Sequence, residues 1–76
     1  MNDFKLKNKP MRCKYGRVSC KRIEWGYIIS FYFGFGEVIH YRITNIDAKE
    51  YVIRFIRKEF DFTDEMVEEF KRRFFS

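Results

Sequence analysis

The sequence predicts an α+β protein: a small antiparallel sheet of three or four strands followed by two antiparallel helices packed on one of its faces. Three observations lead there. Apolar residues alternate with a period of two through much of residues 11–44. Helical spacing with cap signals takes over across residues 47–75. Glycines punctuate the alternating part and are missing from the helical part. A chain of 76 residues makes one domain, spanning 1–76. At this size only about 60% of the unfolded surface is buried, so the core has to be dense. Ten Phe, five Tyr and one Trp supply the means, since each large ring buries roughly 150–250 Å². That aromatic content also excludes a disordered chain.

Residues 1–10 read as a basic, polar arm closed by Pro10. Met11 to Arg22 reads as a hairpin turning at Gly16-Arg17, with glycine where a type II′ turn needs it. That register sets Arg12 opposite Lys21 and Cys13 opposite Cys20. It gives one apolar face (Met11, Cys13, Tyr15, Val18, Cys20) and one cationic face (Arg12, Lys14, Ser19, Lys21). From Ile23 to Phe33 the odd positions are all large and apolar, the mark of a strand with one buried side. Buried parity is even at Val18 and Cys20 but odd from Ile23 onward, so a bulge or break is expected near Lys21-Arg22. Gly34-Phe35-Gly36 forms a three-residue loop. It pairs Phe33 with Glu37, Phe31 with Ile39, Ile29 with Tyr41 and Tyr27 with Ile43; a two-residue loop would throw the apolar sets onto opposite faces. Asp47 and Glu50 suggest a capping box for a helix reaching about Glu59. Thr63 caps a second helix, whose acidic first turn and basic last turns complement its macrodipole.

Net charge is +5, and its distribution says more than its total. Residues 1–22 carry eight basic side chains against Asp3 alone, whereas residues 23–76 carry eight basic and ten acidic ones. A cationic N-terminal third points to an anionic partner, or else to a solubilising arm. The N-terminus has no apolar h-region, and the apolar runs are too short to cross a bilayer. The expected location is therefore cytoplasmic, with reduced cysteines and no membrane partner.

Catalytic and metal chemistry find little support in the residue pattern. His40 falls opposite Ser30, but a working nucleophile also needs an orienting acid and an oxyanion site. Cys13, Cys20 and His40 fall short of the four ligands a structural zinc takes, and Gly34-Phe35-Gly36 lacks the lysine and following helix of a phosphate loop. Neither a cofactor, a metal nor a small-molecule substrate is expected. The leading expectation is a non-enzymatic binding module. In it Arg12, Lys14, Arg17, Lys21 and Arg42 capture the phosphates of nucleic acid, or an acidic or nucleic-acid-bound protein. A second expectation is a small inhibitor or adaptor of the phage or mobile-element type, occluding a host protein through Ile28, Tyr32, Val38 and His40. A third is a homo-oligomeric structural role through edge strands.

Overall fold

The computed structural model describes residues 9–75, so most of the basic arm lies outside the described residues. The chain forms β1 (Met11–Cys13), β2 (Gly16–Ile23), β3 (Gly26–Tyr32), β4 (Val38–Thr44), α1 (Ala48–Phe60) and α2 (Asp64–Phe74). The strands make one antiparallel meander in the order β1-β2-β3-β4. The helices cover a single face, with α1 over β3 and β4 and α2 against β2. This is the α+β arrangement the sequence predicts.

The β3–β4 register agrees in every pair with the three-residue loop: Phe31 faces Ile39, Ile29 faces Tyr41 and Tyr27 faces Ile43. Phe33 N–H donates to Glu37 O at 3.1 Å. Gly34 and Gly36 take φ of 68° and 82°, the left-handed region that a Cβ disfavours.

The first two turns differ from expectation. β1 and β2 pair Met11 with Val18, Arg12 with Arg17 and Cys13 with Gly16, so the turn is Lys14-Tyr15 and not Gly16-Arg17. The turn moves by two residues and the pairing by four, an even shift that keeps strand residues on their own faces while changing every partner. It also places Lys14 and the 56%-exposed Tyr15, expected on the cationic and apolar faces, in the turn. The parity change needs no bulge near Lys21-Arg22, because the chain simply turns again at Glu24-Trp25 and β2 pairs with β3 from Ile23↔Gly26 to Arg17↔Tyr32. Antiparallel partners of opposite parity then share a face. One consequence is that Trp25, read as a core residue from its odd position, sits in a turn at 74% exposure.

Cys13 and Cys20 consequently lie about four residues out of alignment, roughly 13 Å along the strand direction and beyond disulfide reach. Both are free thiols. Burial pushes the Cys20 thiol up to about 12, which removes its thiolate at neutral pH. A thiol reagent is therefore expected to modify the half-buried Cys13 in the native protein, and Cys20 only after unfolding. Equal labelling rates for both, followed by mass spectrometry of the peptides, would contradict this packing.

The inner face of the sheet and the helices enclose the core, with Val18, Ile29, Val52, Ile56, Val67 and Phe70 fully buried. Helix α1 starts differently from the expected capping box. The Asp47 side chain caps nothing, and Asn45 Oδ1 instead accepts the Asp47 N–H at 2.8 Å, an Asx turn that leads into the helix. Asp61 ends α1 in a left-handed conformation, φ 58°. Both the Asp61 N–H and the Phe62 N–H, the latter at 3.3 Å, then donate back to Ile56 O, which satisfies a carbonyl of the last turn. Thr63 Oγ1 accepts Met66 N–H at 3.2 Å and caps α2 as expected.

Candidate functional site

Because the helices occupy only one side, the even positions of β3 and β4 lie on an open face, together with the odd positions of β2 and with Arg12. The register arranges them in cross-strand rows. Arg12, Arg17, Tyr32 and Val38 form one row. Ser19, Ser30 and His40 form the next, and Lys21, Ile28 and Arg42 the third. No Asp or Glu occupies any of these positions.

Four of the five cations singled out in the sequence are thus brought onto one surface. Arg17, expected at the hairpin tip, stands within a strand directly opposite Arg12. Like charges directly opposed across strands destabilise a sheet by a few tenths of a kcal/mol up to about 1 kcal/mol. Both side chains are exposed and neither is ion-paired among the described residues. Lys14 is the exception. It occupies the β1–β2 turn with its Nζ 3.4 Å from Asp61 Oδ2, tied to the end of α1. Hydrogen bonding to Asp61 raises its pKa.

Two shallow depressions flank the opposed arginines. One, about 520 Å³, is lined by Arg12, Cys13, Gly16, Arg17, Tyr32 and Gly34. The other, about 550 Å³, lies at the β1 edge between Arg12, Arg17 and Arg73. Arg73 escapes a sequence reading because its place near the end of a helix already accounts for its charge. In three dimensions its Nη1 donates to Lys9 O at 3.0 Å and Pro10 O at 3.3 Å, fixing the chain just before β1. The Glu69 carboxylate takes Arg73 Nε at 2.7 Å and Arg72 at 2.6 Å, and these guanidinium bonds hold its pKa below the ordinary carboxylate value.

Tyr32, Ile28, Val38 and His40, the expected partner-binding residues, all lie on the same open face. Tyr32 is half-buried, with its hydroxyl 3.5 Å from Ser19 Oγ. Ser30 Oγ and His40 Nδ1 are 2.8 Å apart, as their register position requires. The pair is open to solvent and no carboxylate hydrogen-bonds the imidazole among the described residues. Nor do three or more His, Cys, Asp or Glu side chains gather in a metal-binding group among those residues. No described helix is long and apolar enough to cross a membrane. Comparison with known proteins finds no matching family, no similar curated protein and no similar solved structure, so a functional reading rests on the chemistry of this face.

Proposed function

We propose that this chain is a non-enzymatic nucleic-acid-binding module whose open sheet face captures the phosphate backbone. The observation that carries the reading is the acid-free face itself, where Arg12 and Arg17 stand opposed with Lys21 and Arg42 two rows away. Folding places these cations together at a cost, and a polyanion reverses the sign of that cost. Arg12 and Arg17 line a concave surface with Tyr32, where a phosphate meets two guanidinium groups beside an aromatic ring. Tyr32 and His40 add contacts to sugar or base, as aromatic platforms do in single-strand binders. The setting we assign is cytoplasmic, consistent with two free thiols.

Fluorescence anisotropy with labelled single-stranded and duplex oligonucleotides across a salt series tests this. Engagement of all four cations predicts a log–log salt slope of roughly −3 to −4 on duplex, with little dependence on sequence because phosphates dominate. Absence of binding at low salt would refute it and direct attention to an acidic protein surface on the same face.

A further inference from the structure

The two edges of the sheet are not equivalent. β1 is only three residues long, follows Pro10 and is held by Arg73. Short length and proline are devices that blunt an edge. β4 has seven residues, no proline and no bulge in its register. Its pairing turns the backbone of Ile39, Tyr41 and Ile43 toward β3, which leaves the N–H and C=O groups of His40 and Arg42 aimed away from the sheet. No turn or loop hydrogen bond fills that side among the described residues.

The flank of this edge has a definite chemistry. Ile39 is 40% exposed. Beside it on the helix side runs an apolar cleft of about 360 Å³, with Ile43, Tyr51 and Phe55 as its body and Arg54 and Lys58 at its rim. Neither cation is ion-paired among the described residues, and Arg42 stands on the other side of the strand. We infer that the β4 edge is a second binding site, which accepts an extended acidic-apolar protein segment as a fifth strand. The backbone supplies the main-chain bonds of strand addition. Apolar side chains on the helix-facing side of the segment enter the Ile43–Tyr51–Phe55 cleft, and carboxylates flanking them on that same side meet Arg54 and Lys58 at its rim. Carboxylates at the alternate positions meet Arg42. A second copy of this chain fits the edge less well, because Arg54 and Lys58 would meet their own counterparts between two molecules of net charge +5.

The probe is a blocked peptide of about seven residues, Glu-Glu-Val-Glu-Val-Glu-Glu, matched to an ordinary strand length, in which glutamates flank the two valines on their own face and fill the alternate face. NMR titration of the full chain is expected to show binding that shifts the amides of residues 38–44. The valine–lysine peptide and a peptide N-methylated on its bonding edge should bind at least tenfold more weakly. Arg54→Gln with Lys58→Gln should weaken the glutamate peptide severalfold while leaving nucleic-acid affinity intact, so this site and the open face fail or survive separately. The inference is overturned if no peptide binds, or if the N-methylated peptide binds equally well. Shifts falling only around Arg12 and Arg17 would overturn it too, as would light scattering showing that β4 is already occupied by a second copy.

Discussion

Gly26→Ala is expected to destabilise the protein by about 3 kcal/mol or more, enough to leave little folded material. Gly26 opens β3 opposite Thr44. A Cβ there would lie 1.9 Å from Ile43 O and 2.9 Å from both Ile43 C and Thr44 Cα. All three are backbone atoms of the paired strand, so no side chain can swing aside. Relief requires opening the β3–β4 ladder at the end that leads into α1. The contrast is Gly34, where a Cβ meets nothing within 4 Å and only the positive φ opposes substitution. Gly34→Ala should therefore cost only about 1–2 kcal/mol. Urea denaturation of the two variants measures the difference, and a Gly26→Ala protein no less stable than Gly34→Ala would contradict the close strand approach.

Phe70→Ala should have a comparable effect for a different reason. The ring is 0% exposed and packs against Phe74 at 4.8 Å, Phe75 at 5.6 Å and Phe62 at 5.9 Å between centroids. Phe75 continues the stack to Tyr27 on β3 at 5.1 Å, so Phe70 joins the interhelical connection to the sheet. Truncating a buried Phe to Ala typically costs about 3–5 kcal/mol. A domain of this size sits toward the low end of the ~5–15 kcal/mol range of folding stability, so most of the reserve is lost. Phe70→Leu, which keeps most of the volume, should retain the fold. A cooperative thermal transition for Phe70→Ala close to that of the parent would show that α2 contributes little to the core.

Much of this architecture is legible in the residue pattern, because burial on one face imposes a period that cannot be hidden. The β3–β4 pairing follows from apolar parity and from two glycines that adopt positive φ. The α2 start follows from a threonine whose hydroxyl does cap. What escapes is the position of the first two turns. Glycine is ordinarily the turn signal in hairpins, yet neither Lys14-Tyr15 nor Glu24-Trp25 contains one, and none of those residues has positive φ. Gly16 and Gly26 instead follow the turns and serve close strand approach: a Cβ on Gly16 would lie 2.3 Å from Tyr32 O. Aromatic Tyr15 and Trp25 precede these glycines and are left exposed, which an apolar count misreads as core. The cationic face survives the misplaced turn because an even shift in pairing, here four residues, keeps side chains on their own sides. Only the partners change, with Arg17 replacing Lys21 opposite Arg12. Lys14 leaves the face because the turn now falls on it. The exposed β4 edge is invisible in sequence, since edge and central strands share the same period.

The central claim concerns where a polyanion is held, and two variants of equal charge decide it. Arg12→Gln with Arg17→Gln removes two cations from the open face, and Arg54→Gln with Lys58→Gln removes two from the helix side. Both change net charge equally, so any difference in binding reports location and not total charge. The salt slope of duplex binding should fall by roughly 2 in the first variant and stay near the parental value in the second. Equal slopes in the two variants would mean that the chain attracts nucleic acid by net charge alone and that the open sheet face is not its binding site.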